Sequence, residues 1–190
     1  MSAARHATRQ AKRSQHSAWQ ENLESLVWAT AVALIIRTFD IAPFKIPSGS
    51  MRMTLLEGDR ILVNKFIYHF QEPRRGDIVV FRFPSDPKRP FIKRLTGLDG
   101  DAVEIRDGAV LVNGHPLAGY GAFEARHYIN QGPWGGYGQI VQVPPGELYV
   151  LGDNSASSHD SRFWGFVPRR LLIGQAVCIF WPPNRMRILR

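Results

Sequence analysis

Ala102-Val103-Glu104-Ile105-Arg106-Asp107-Gly108-Ala109-Val110-Leu111-Val112 is the stretch that decides the fold class. Two short β-type runs flank Asp107-Gly108, a dipeptide suited to the left-handed backbone of a two-residue hairpin turn. Outward from this hairpin the same pattern recurs. Apolar or alternating runs fall at Ile61–Phe66, Asp77–Phe83, Phe91–Leu95, Ile140–Val143, Leu148–Leu151 and Ala176–Trp181. Turn residues separate them at Gly76-Asp77, Asp99-Gly100, Asn113-Gly114 and Pro144-Pro145-Gly146. Many short strands with Gly, Pro and Asn turns predict an all-β domain, with twisted antiparallel sheets forming a partly open barrel or sandwich. Residues 115–138, rich in Gly, Tyr and Trp, read as a long loop or insertion.

The N-terminal part differs in kind. Residues 1–20 carry Arg5, Arg9, Lys12 and Arg13 and no acid, which is half of the net charge of +8. An apolar run from Leu26 to Ile36 follows, roughly 16 Å long as a helix and short of the ~20 residues of a full span. Extending it through Leu23, Phe39 and Ile41 admits Glu24, Arg37 and Asp40 near its ends. A basic segment ahead of an apolar one is what the positive-inside rule produces. Ala31-Val32-Ala33 lies inside the run, a poor place for signal-peptide cleavage. The expected organisation is a basic cytoplasmic tail at 1–21, a transmembrane signal-anchor helix at 22–42 and an extracytoplasmic β domain at 43–190. The basic residues are not interleaved with aromatics across the folded part, which argues against nucleic acid. Cys178 is the only cysteine, so an intrachain disulfide is excluded, and its apolar setting suits an inert thiol.

Three segments concentrate polar groups. The first is Ile46-Pro47-Ser48-Gly49-Ser50-Met51; its small residues and Pro also suit an ordinary turn. In the second, Phe91-Ile92-Lys93-Arg94, a lysine falls inside an apolar strand. The third runs from Gly152-Asp153-Asn154 through Ser158, His159, Asp160, Ser161 and Arg162 to Trp164-Gly165. Serine with lysine is a variant of the Ser-His-Asp logic, in which a neutral amine accepts the hydroxyl proton. Bringing a lysine from about 10.4 to near 8 takes about 3.3 kcal/mol, which apolar burial supplies by disfavouring the charged form.

Together these segments resemble the type I signal peptidase family, the Ser/Lys leader peptidases of bacteria. Ile46 to Met51 with Thr54-Leu55 and Gly58-Asp59 is similar to the nucleophile box, and Gly76-Asp77-Ile78-Val79-Val80-Phe81 to the next. Ile92-Lys93-Arg94 through Gly97 is similar to the lysine box, and Gly152-Asp153-Asn154 with Asp160-Ser161-Arg162 and Trp164-Gly165 to the last. The resemblance implies a membrane-bound serine endopeptidase that removes signal peptides from exported preproteins after small residues at −1 and −3. It implies Ser50 as nucleophile and Lys93 as general base. Ser48 and the Ser50 N–H would form the oxyanion hole, Ser158 would orient Lys93, and Asp160 with Arg162 would form a supporting ion pair. Ile46, Met51, Leu55, Phe91 and Ile92 would wall the substrate pocket. The implied partners are preprotein signal peptides and the lipid bilayer of the inner membrane, with no nucleic acid, metal or cofactor.

Three places depart from the family pattern. Met53 and Asp99 stand where Pro is usual, so a looser turn after the nucleophile is expected at Met53, and Ser155-Ala156-Ser157 replaces Arg-Asp-Asn. A Ser-His-Asp hydrolase would have to use His159 beside Asp160, and no serine lies in a Gly-x-Ser-x-Gly elbow. A self-cleaving Ser/Lys repressor would need a DNA-binding module that residues 1–45 cannot supply. The non-enzymatic alternative is a membrane-anchored β domain that binds exported segments without cutting them.

Overall fold

The computed structural model describes residues 22–30, 41–117 and 123–189. Residues 22–30 are helical. The rest of the expected anchor up to residue 40, and the basic tail, lie outside the described residues. Among those described, no helix is long and apolar enough to cross a membrane.

In residues 41–117 and 123–189 the regular elements are mostly strands. In chain order these are β1 (Ile41–Lys45), β2 (Arg60–Asn64), β3 (Ile78–Phe83), β4 (Asp86–Gly97), β5 (Ala102–Arg106), β6 (Ala109–Val112), β7 (His115–Pro116), β8 (Ile140–Gln142), β9 (Glu147–Leu151), β10 (Val167–Pro168), β11 (Leu172–Trp181) and β12 (Arg187–Ile188). The larger sheet runs β1-β2-β11-β3-β4-β9-β10, with β12 on β11, and the smaller runs β7-β6-β5-β8. Each pairing is antiparallel. Neither sheet closes into a barrel.

Local chemistry explains the joints. Asp107 at φ +50° and Gly108 at φ +79° give the β5–β6 hairpin its two left-handed residues. Asn113 and Gly114, at +54° and +79°, repeat the device between β6 and β7. In the larger sheet the period of two sends Val79, Phe81 and Leu95 into one apolar cluster and Ile78, Val80 and Ile92 into another. A third cluster, with Val103, Ile105, Val110 and Val141, joins the smaller sheet to Tyr149 and Leu151 of β9.

One difference from the sequence expectation bears on function. Ile41 and Ala42, assigned to the anchor helix, pair with Asn64 and Val63 in β1. Pro43 sits within this strand opposite Leu62, on the sheet edge where a missing N–H is tolerated. Three arginines toward the C-terminus are engaged in contacts within the chain. Arg185 pairs with Asp59 at 2.8 Å, Arg169 pairs with Glu72, and Arg187 donates to the Thr54 carbonyl.

Candidate active site

Just after β1 the chain turns through a single 3-10 turn, Gly49–Met51, which carries Ser50. Backbone bonds from Ile46 N to Asp59 O and from Gly58 N to Ile46 O, both 2.9 Å, close the loop. Its apolar residues fix it to the body of the protein. Ile46, Met51 and Leu55 are buried against Ile61, Val63, Ile78 and Val80. From the far side, Asn154 N donates to the Ser50 carbonyl and Asn154 Nδ2 to the Gly49 carbonyl, each at 3.0 Å. Gly152 allows this approach, since a Cβ there would fall 2.6 Å from the Ser50 carbonyl oxygen and 2.0 Å from Ser158 Oγ.

Lys93 lies in the centre of β4, opposite Val79 of β3, and is only 4% exposed. Its Nζ is 2.7 Å from Ser50 Oγ and donates to the Ile92 carbonyl at 2.9 Å. The Phe91 ring lies 5.6 Å from the ammonium nitrogen. Burial lowers the lysine from 10.5 to about 8, while Asp160 and Asp153 oppose the shift. A group with this value is about half neutral near pH 8, which a proton acceptor requires. Ser48 Oγ stands 3.5 Å from Ser50 Oγ, on the same side of an open cleft of about 400 Å³.

Two buried ion-pair networks underlie the cleft. Asp160 and Arg162, both fully buried, meet at 2.8 and 2.9 Å, and Asp160 also accepts from the Gly152 N–H. Arg162 further donates to Ser155 Oγ and to the carbonyls of Ser155 and Ile129. In the second network Asp153 accepts a two-pronged contact from Arg94 at 2.8 and 2.7 Å, together with Thr54 Oγ1 and Arg126. Arg94, Asp153 and Asn154 stand in the quoted motifs without an assigned role, and Thr54 and Arg126 carried no signal as partners.

Some expected roles do not match the geometry. Ser158 Oγ is buried without a hydrogen-bond partner; the hydroxyl packs against the Gly152 backbone, and Ile92 O holds Lys93 instead. Of the five expected pocket residues, Phe91 lines the cleft. Ile46, Met51, Leu55 and Ile92 lie in the apolar cluster instead, because so short a loop needs its apolar side chains for anchorage. His159 is exposed at the cleft, stacks on Phe163 and meets the edge of Phe83. Asp160 is committed to Arg162 and Gly152, so it is poorly placed to serve His159.

Met53 changes the expectation for the turn after Ser50. Arg52 at φ −51°, ψ 150° and Met53 at φ +89°, with Thr54 N donating to Met51 O at 3.0 Å, form a type II turn. Proline cannot reach a positive φ, so this backbone is not the one a proline at 53 would make. Met53→Gly relieves about 1–2 kcal/mol of left-handed strain against about 0.5–1 kcal/mol of added chain entropy. A small rise in thermal midpoint is expected for Met53→Gly, and a fall in both midpoint and activity for Met53→Pro. A Met53→Pro variant as stable and active as the parent would show the turn to be misassigned.

Residues 19–181 match the family described as signal peptidase, peptidase S26. The chain belongs to this family. It is 43% identical over 176 residues to a signal peptidase I of Leptolyngbya laminosa, covering 87% of this chain and 81% of the relative. It is 42% identical over 177 residues to a probable signal peptidase I of Synechocystis, covering 90% and 77%. A solved signal peptidase I from Enterococcus faecalis is 30% identical, with a TM-score of 0.44, covering 55% of this chain and 97% of that one. As a member of the S26 signal peptidases, the protein is a serine endopeptidase.

Proposed function

We propose that this S26 signal peptidase removes N-terminal signal peptides from exported preproteins with Ser50 as nucleophile and Lys93 as general base. The observation that carries the proposal is the 2.7 Å approach of a buried lysine to a serine at the edge of an open cleft. Neutral Nζ takes the Ser50 proton as Oγ attacks the carbonyl carbon of residue −1. Ser48 O–H and the Ser50 N–H donate to the oxygen that becomes negative, an interaction worth several kcal/mol in the transition state. The protonated lysine then gives its proton to the departing amide nitrogen, which leaves as the new amino terminus. Water, deprotonated by the regenerated neutral lysine, hydrolyses the acyl-serine.

An extended substrate lies along the cleft, held by backbone bonds and read at alternate side chains. Small residues at −1 and −3 are the expected preference, as in A-x-A signals. The basic segment at 1–21 and the apolar run after it support an anchored enzyme with its tail in the cytoplasm and the β domain, from Ile41 on, outside the inner membrane. The names of the relatives, signal peptidase I, support the substrate class.

Cleavage of a preprotein across pH tests this reading. The value of about 8 for Lys93 predicts that kcat/KM climbs tenfold per pH unit below 8 and levels off above it. A flat profile from pH 6 to 10 excludes a lysine base. Loss of cleavage in His159→Ala but not in Lys93→Ala would transfer the role to histidine.

A further inference from the structure

We propose that Arg126 is a positioning residue for the nucleophile turn, acting through Thr54 and Asp153. The proposal rests on the assignment of Ser50 as nucleophile. Arg126 comes from residues 115–138, outside the four motif segments, and its side chain is only 8% exposed. One nitrogen, Nη2, donates to Thr54 Oγ1 at 2.6 Å and to Asp153 Oδ2 at 3.0 Å. These two acceptors belong to the two pieces of chain that hold Ser50. Thr54 closes the type II turn through its N–H, and its carbonyl accepts from Arg187. Asp153 immediately precedes Asn154, which grips the Gly49 and Ser50 carbonyls. The Arg126 guanidinium thus reinforces the direct Thr54–Asp153 hydrogen bond and the longer Arg94–Thr54 contact in tying the front of the turn to its back.

Neutralising Asp153 does not explain this residue. Arg94 already meets that carboxylate with two nitrogens, so Arg126 brings a second cation to one buried anion. Arg126 Nε is also buried without a partner. A buried, half-satisfied cation weakens a fold unless something else requires it. Precise placement of Ser50 is that requirement, because misplacing a reacting group by about 1 Å costs on the order of 100-fold in rate.

Residues 128–130, just after Arg126, are held by hydrogen bonds to two other parts of the fold, as a positioning device needs. Tyr128 N donates to the Gly108 carbonyl at 2.9 Å and Asn130 Nδ2 to the Ile105 carbonyl at 2.8 Å, tying them to the β5–β6 hairpin. Ile129 N donates to Ser155 Oγ at 2.8 Å, tying them to the loop after β9. Residues 126–130 therefore tie the smaller sheet to the nucleophile turn.

The test compares Arg126→Gln, Arg126→Lys and Ser50→Ala in the full chain, using preprotein cleavage with kcat and KM separated. Arg126→Gln is expected to lower kcat by about 10- to 100-fold with KM changed less than threefold and the pH midpoint unmoved. Arg126→Lys keeps the charge and one donor and should recover part of the loss. Dilute guanidinium ion should partly rescue Arg126→Gln. A loss carried by KM, or one that only follows the fraction unfolded with no rescue, overturns the positioning role. If Arg126→Gln does not fold, Arg126→Lys decides by the same split of kcat and KM. Wild-type kcat in Arg126→Gln while Ser50→Ala is dead overturns this proposal alone. Activity surviving in Ser50→Ala removes the nucleophile assignment beneath it.

Discussion

Lys93→Met is expected to abolish preprotein cleavage and, at neutral pH, to make the protein more stable. The loss of activity follows from removing the base 2.7 Å from Ser50 Oγ and should reach about 10⁴-fold or more. The gain in stability follows from the same burial. Lowering an amine from 10.5 to about 8 means that the folded state disfavours the charged form by roughly 3 kcal/mol. Below pH 8 both states hold the proton, and the folded state bears the whole penalty. Between 8 and 10.5 the unfolded chain binds more protons than the folded one, so stability rises with pH; above 10.5 the penalty is gone. The advantage of Lys93→Met should therefore be largest below pH 8 and fade by 10.5. Thermal or urea unfolding of both proteins at pH 7 and 10.5 checks it. A variant that is inactive and also less stable at pH 7 would mean that Lys93 is a structural lysine.

The second large effect is expected at Arg162. This side chain is fully buried, pairs with a fully buried Asp160, and satisfies the carbonyls of Ser155 and Ile129. Arg162→Met leaves the Asp160 carboxylate buried without its cation, a loss of about 3–5 kcal/mol. Against a typical total of about 5–15 kcal/mol this approaches unfolding. Adding Asp160→Asn to Arg162→Met should cost less than the sum of the two single changes, because the second substitution removes the stranded charge. Denaturant titration of the four proteins measures the coupling. Strict additivity would show that the pair is not an energetic unit.

Legibility in the sequence followed the range of the interaction. Asp107-Gly108 announced its hairpin because the turn chemistry is local and complete within two residues. Ser50 and Lys93, which lie 2.7 Å apart, are singled out in the sequence by short motifs, each of which carries its own turn or strand context. The all-β class with antiparallel sheets was likewise legible from repeated short runs. Long-range partnerships left no such mark. Ile41–Lys45 continues an apolar pattern from the preceding run, and only its pairing with β2 makes it a strand. Met51 and Leu55 look like pocket walls in a catalytic loop, yet the loop needs them as anchors. Met53 gives no sign of its left-handed backbone, since any residue type is compatible with a turn until φ is known. Arg126 reaches Thr54 across 72 residues of chain and Asp153 across 27, so no window of sequence contains the contact.

The central claim is that burial beside Ser50 makes Lys93 a neutral base at mildly alkaline pH. The direct measurement is the NMR titration of the Lys93 side chain, with its resonance assigned by its absence in Lys93→Arg. A midpoint near 8 is the expected result. A midpoint near the ordinary 10.5 would contradict the account, because a lysine that is charged throughout the working range cannot take the proton of Ser50.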